Sequence, residues 1–335
     1  MAAFAARSTP DGPPGAYTFV HDRLMPDEER RYSSMAADAL GIPIRHYAVD
    51  GYRLFERWTE PEFVRPQPMD APLLAVDVDL YREMSATRRV VLTGFGADAA
   101  LFETRSRLAR LLAEGRGWRA LREAAVYARW HRRVPHPGFR TRRREREGGG
   151  AWAPPYPEWL DPDFERRAGL RARREESRAL PPAPHPLRPE AYARLASPFW
   201  PRMLESFDPG VSRAPLEFRH PFLDVRVVSF LLSVPPAQWY NDKGILRIAM
   251  RGVLPEKFLR RQKTPLAADP LAVRLREGPG PWLERFRLRK AAERFIVRAA
   301  LPRFAGGDSD SGAIEEAWLH FRALGLSLWL ERLDP

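Results

Sequence analysis

The apolar and polar positions of the first hundred residues alternate between two rhythms. Residues 16 to 20, Ala-Tyr-Thr-Phe-Val, form a short apolar run of strand length. Residues 27 to 40 carry an apolar stripe, acids in the first turn and Gly41 just past the end, which predicts a helix. A second strand is predicted over 44 to 49, a second helix over 77 to 86, and a third strand over Arg89-Val-Val-Leu-Thr93. That strand runs into Gly94-Phe-Gly-Ala-Asp98. Strands alternating with helices predict an α/β class with a parallel sheet.

The pattern then changes. Residues 104 to 133 read as arginine-rich helix, and 190 to 334 return to helical spacing. In the last segment Trp318, Phe321, Leu324, Leu328 and Leu330 form a stripe, which predicts core packing and no cofactor box. Residues 138 to 150 are a run of charge closing in three glycines, and predict a solvated, mobile loop; a polyanion-binding loop is the sharper alternative. Many of the 34 prolines fall between Pro135 and Pro201, so irregular connections are expected there. No internal repeat is present.

Composition narrows the function classes. A chain of 335 residues makes one large domain or two small ones. It has no cysteine, which excludes disulfides, thiolate metal sites and a cysteine nucleophile. No apolar run reaches the roughly 18 residues of a membrane span, and the opening Met1-Ala-Ala-Phe-Ala-Ala-Arg is too short for a signal peptide, so a cytoplasmic protein without a membrane partner is expected. The net charge of +12 suits a polyanion. Lysine occurs only as Lys243, Lys257, Lys263 and Lys290, so the charge follows from a preference for arginine, and no nucleic-acid partner is needed to explain it.

Three stretches carry candidate chemistry. In Val90-Val-Leu-Thr-Gly-Phe-Gly-Ala-Asp98 a glycine pair follows a strand, at the edge where parallel sheets bind ligands. Glycines let the main chain approach a nucleotide, and Asp98 is placed to hold Mg²⁺ between phosphate oxygens. The plainer alternative is a turn with Asp98 capping the next helix. The second stretch, Glu217-Phe-Arg-His-Pro-Phe-Leu-Asp224, ends in an N-cap for an apolar helix closed by Pro235. The third runs from Lys243-Gly-Ile-Leu-Arg247, with Asp242 as a cap, to Leu254-Pro255 and Gln262-Lys263. Lysine is a compact point charge suited to phosphate, and surface charge is the plainer reading of Lys263.

In this order the three stretches resemble the synthetase domain of the asparagine synthase family, which includes β-lactam synthetases and lasso-peptide macrolactam cyclases. The family pattern is Leu-Ser-Gly-x-Gly-x-Asp-Glu, Glu-x-Arg-x-Pro-Phe-Leu-Asp, Lys-x-x-Leu-Arg and Leu-Pro-x-x-x-x-x-Arg-x-Lys. The resemblance covers residue 16 to the C-terminus with a divergent middle. It implies an ATP-pyrophosphatase-type parallel sheet (adenine-nucleotide α-hydrolase type) with a largely helical C-terminal half. It divides the chain into a nucleotide-binding part (1–103), a basic, proline-rich insert (104–196) and a helical part completing the site (197–335). The implied reaction is ATP-dependent adenylation of a carboxylate followed by attack of an amine. Thr93, Gly94 and Gly96 would lie on the nucleotide, Asp98 would bind Mg²⁺, and Lys263 would stabilise the α-phosphate and departing pyrophosphate. The implied partners are a small-molecule or peptide carboxylate, an amine, and a separate glutaminase or peptide-binding protein.

The departures are as informative. The family's Ser-Gly-Gly-x-Asp-Ser phosphate loop has no counterpart, so the sequence is expected to be an N-terminally truncated form that lacks the first strand and adenylates little by itself. The Glu between the two family glycines is Phe95, and the acid after Asp98 is Ala99. Both changes point away from asparagine itself and towards a specialised amide ligase, or to an inactive relative serving as a binding or scaffolding partner.

Overall fold

In the computed structural model, placement is described for residues 1–8, 13–69, 71–102, 106–146, 156–178, 185–240, 243–261, 268–276, 288, 290–301 and 311–333. Helix α1 (Ala2–Ser8) precedes strand β1 (Ala16–Val20). Helix α2 (Glu29–Leu40) then leads to strand β2 (Ile44–Ala48), and helix α3 (Leu74–Ser85) leads to β3 (Val90–Leu92). β1 and β2 pair in parallel from Ala16↔Ile44 to Val20↔Ala48. β3 pairs in parallel with β4 (Glu217–Arg219), from Val90↔Glu217 to Leu92↔Arg219. The molecule is thus α/β, with two small parallel sheets among many helices.

α2 ends where its glycine allows it to. Gly41 adopts φ 62°, and its N–H closes onto carbonyls of the last turn, an arrangement that a side chain would strain. The helix begins two residues later than its acids suggested. Asp27 instead stands before it, and its carboxylate accepts from the N–H groups of Glu29 (2.7 Å) and His21 (3.0 Å).

One helix face lies under both sheets. Leu80 and Met84 of α3 join Ala214 and Leu216 in a buried cluster. Tyr17, Tyr47, Val91 and Phe218, one from each strand, pack on that cluster. Burying such a leucine contributes about 2 kcal/mol, so α3 holds the two strand pairs to a common floor.

The C-terminal helix α8 (Ser311–Leu333) packs on two sides, as its stripe predicts. Phe321 and Leu324 join Phe55, Trp58, Leu74 and Leu271, with Leu328 against them. Ala323 and Leu330 join Trp159, Ala292 and Ile296. Between the two clusters, a side chain at Gly325 would run into the carbonyl oxygen of Met69, so the glycine admits a close main-chain approach. No helix among the described residues is long and apolar enough to cross a membrane.

One expectation is corrected. Part of the charged run predicted as a loop is helical, over Phe139–Arg146. Its Arg and Glu residues are good helix formers, and a solvated charged face is compatible with a helix. Residues 147 to 150 and Asp242 lie outside the described residues.

Candidate functional site

The carboxyl end of β3 carries the glycine pair. The ladder continues one residue beyond the strand, with the Thr93 N–H donating to the Arg219 carbonyl at 3.0 Å. Thr93 Oγ1 then accepts from the Phe95 N–H (3.2 Å) and lies 2.7 Å from His220 Nδ1. Gly94 is exposed, and its own carbonyl accepts from the Ala97 N–H at 3.1 Å. Gly96 has φ 88°, and a Cβ there would stand 2.5 Å from Leu223 Cδ2. Both the conformation and the space require glycine at this position. Helix α4 (Ala97–Ala100) follows, with Gly96 at its N-cap. Asp98 is therefore in the first turn and does not cap the helix.

Asp98 faces outward, its side chain 72% exposed, and its Oδ1 lies 2.7 Å from Lys243 Nζ. Lys243 precedes helix α7 (Gly244–Ala249) with φ 56°, in the left-handed region that favours glycine. A lysine held in a conformation better suited to glycine argues that its ammonium matters at this place.

Two further segments support the loop. After β4, a single turn leads to Asp224, which accepts from the Arg226 N–H at 2.9 Å and opens helix α6 (Val225–Ser233). The Arg226 guanidinium beside Asp224 holds its carboxyl well below the usual range. Asp224 is thus the structural cap its sequence predicts. Buried Arg188, from the divergent middle, donates to the carbonyls of Ala100 (2.8 Å), Phe102 (2.9 Å) and Leu231 (3.0 Å). Its guanidinium lies 3.5 Å from the Tyr240 ring centroid. The middle segment therefore braces α4 from behind.

Phe95, between the glycines, turns into an aromatic group. Its ring meets Trp200 edge-on at 5.4 Å, Phe207 at 5.4 Å and His220 at 5.6 Å. Trp200 belongs to helix α5 (Phe199–Glu205). Burial lowers the pKa of His220, which favours the neutral imidazole beside Thr93.

The carboxyl end of β1 is built differently. Asp50 accepts from the N–H groups of Asp22 (2.9 Å), Arg23 (2.7 Å) and Leu24 (2.7 Å). Burial pushes its carboxyl up, but these main-chain donors outweigh burial and hold the pKa at about 2. The same loop borders an open groove of about 680 Å³ that also includes Arg30 and Arg31.

Of the predicted site residues, Thr93, Gly94, Gly96 and Asp98 fall on one loop, and Lys263 lies outside the described residues. Lys243 and His220 are additions. Both lie inside quoted motifs, and the scarcity of lysine was the signal for Lys243. Among the described residues no three or more of His, Asp and Glu are grouped to hold a metal. A nucleotide-borne Mg²⁺ needs only one or two carboxylates besides phosphate and water. Exposed Asp98 fits that smaller requirement.

Comparison with known proteins identifies the family. The profile of the family described as "Asparagine synthase" matches residues 1–331. An "Asparagine synthetase [glutamine-hydrolyzing] 3" of Bacillus subtilis (strain 168) is 39% identical over 70 residues. That stretch covers 20% of this chain and 11% of the relative.

Proposed function

Because the chain belongs to the asparagine synthase family, we propose that it takes part in ATP-dependent amide-bond formation by way of an adenylated carboxylate. The observation that carries the reading is the loop Thr93–Asp98 at the carboxyl end of a parallel strand, with Gly94 exposed and its single acid facing a lysine. A substrate carboxylate oxygen attacks the α-phosphorus of ATP, and the bond to the β-phosphate breaks to release pyrophosphate. An amine then attacks the acyl carbon and AMP leaves, the surplus proton passing to solvent or a base.

The chain's own residues bind and orient in this scheme. The main chain at Thr93 and Gly94 lies against the adenine or ribose, and Gly96 lets the loop turn tightly over Leu223 behind them. Asp98 would hold the Mg²⁺, which supplies charge neutralisation to the phosphates when bound. Lys243 brings positive charge to the same place, and Lys263 stabilises charge on the α-phosphate and the leaving pyrophosphate. On this reading the fold is of the ATP-pyrophosphatase type, with residues 1–103 binding the nucleotide, 104–196 an insert, and 197–335 completing the site.

Exchange of labelled pyrophosphate into ATP, measured with a panel of carboxylates, tests the reading; exchange that rises with one carboxylate supports it. A second reading, an inactive relative that binds a partner, is favoured by Ala99 following Asp98, which leaves one acid where the family pattern has two. Nucleotide binding without exchange for any carboxylate, including in complex with co-purifying proteins, would select that second reading.

A further inference from the structure

An open groove of about 570 Å³ runs alongside β4 from Glu217 to His220 and ends at the aromatic group around Phe95. Its apolar wall is made by Leu204, Phe207, Pro215 and Leu216. Phe207 belongs to both features: its ring meets Phe95 at 5.4 Å, Phe218 at 5.1 Å and His220 at 4.9 Å. The groove therefore ends at His220, whose Nδ1 lies 2.7 Å from Thr93 Oγ1, and a group bound in it would lie close to a carboxylate placed beside Thr93.

The charges around the groove decide what it accepts. Asp208 and Glu217 line it, and Arg89 is the one cation among its lining residues. Asp208 caps the next turn through the Gly210 N–H at 2.7 Å, and Glu217 pairs with Arg219 at 2.7 Å, so both carboxylates are held in place. A second carboxylate on the substrate would meet the apolar wall and the carboxylates of Asp208 and Glu217, the latter already paired with Arg219, with Arg89 as the one lining cation. An aromatic or branched aliphatic group would meet ring faces and edges and displace water from apolar surface.

We infer that the carboxylate substrate bears an aromatic or branched aliphatic group bound in the groove beside Phe207, and not a second charged group. This rests on the adenylation reading for its chemistry, while the preference itself rests on the groove. Phe95, in place of the acid that the family pattern carries between its glycines, is the specificity-determining residue of this arrangement, because its ring packs against Phe207 and His220, which line the groove.

Calorimetric or saturation-transfer NMR titration of the full chain with 3-phenylpropionate and with succinate, with and without Mg-ATP, tests the inference. The expected result is at least tenfold tighter binding of 3-phenylpropionate. Leu204→Glu and Phe207→Ala should each weaken it at least fivefold. Leu204 is exposed, so its substitution leaves folding intact even if Phe207→Ala loosens the contact with Phe218. Equal or tighter binding of succinate, or unchanged binding of 3-phenylpropionate in both variants, would overturn the inference. Loss of Mg-ATP binding with the aromatic preference kept would strike the adenylation reading alone. Mg-ATP binding with a preference for succinate would strike this inference alone.

Discussion

The carboxyl ends of the two strand pairs each present an aspartate, and the two aspartates are used in opposite ways. Asp50, at the end of β2, spends its oxygens on three main-chain N–H groups of the loop after β1. Asp98, at the end of β3, is exposed and pairs with Lys243 at 2.7 Å. A carboxylate surrounded by main-chain donors is part of the architecture and has little capacity left for a metal or phosphate. An exposed carboxylate paired with an exposed ammonium can exchange that partner for a ligand at small expense, since exposed pairs contribute about 0–1 kcal/mol. Position at a strand end therefore does not by itself identify the functional acid; the partners it already has do.

This contrast can be broken at several points. The largest effect is expected at Lys263. If it meets the phosphates as charge develops, Lys263→Ala, in a chain extended by the family's Ser-Gly-Gly-x-Asp-Ser loop, should lower turnover in an amide-ligase or exchange assay about a hundredfold, with little change in substrate affinity. Its stability should change by about 0.5 kcal/mol or less, and Lys263→Arg should rescue poorly. Near-normal turnover in both variants would remove the residue from the site.

Asp50→Asn comes next, with a loss of about 1.5 kcal/mol at pH 7 in chemical denaturation and no direct effect on the glycine loop. The sign with pH follows from the depressed carboxyl, about 2 when folded against 3.8 as the ordinary value. Its stabilising contribution is present above about pH 4 and disappears as pH falls from about 4 to about 2. Equal stability of the variant and the parent at pH 7 would show that the three N–H groups do not depend on this charge.

The smallest effect is expected at Lys243. Replacing it with glycine relieves the left-handed backbone and should leave stability unchanged or raise it by about 0.5 kcal/mol, while Mg-ATP affinity falls. Destabilisation by 1 kcal/mol or more would mean that the Asp98 pair is structural after all.

Much of this contrast was legible in the sequence, though unevenly. The strands 16–20 and 90–92, the helix ended by Gly41 and the cap at Asp224 follow from local rules, because glycine conformations and caps are decided within a few residues. The glycine loop was legible for the same reason. β4 was not, since Glu217-Phe-Arg is only three residues long and becomes a strand through pairing with a segment 127 residues away. The same distance hid the contact of Thr93 with His220. The divergent middle concealed Arg188, whose acceptors are main-chain carbonyls of other segments, which leave no pattern in sequence. Phe95 was legible as a departure from a motif, but the rings of Trp200 and Phe207 that give it meaning arrive from a separate helix and the turn after it.

Asp98 presents an exposed carboxylate to a ligand where Asp50 does not. Calorimetric titration of Mg-ATP into the parent chain, Asp98→Ala and Asp50→Asn tests this most directly. The account predicts that Asp98→Ala unfolds within about 0.5 kcal/mol of the parent and binds Mg-ATP about tenfold more weakly. It predicts that Asp50→Asn, although less stable, binds Mg-ATP as the parent does. Unchanged affinity in Asp98→Ala, or a larger loss of affinity in Asp50→Asn, would contradict it.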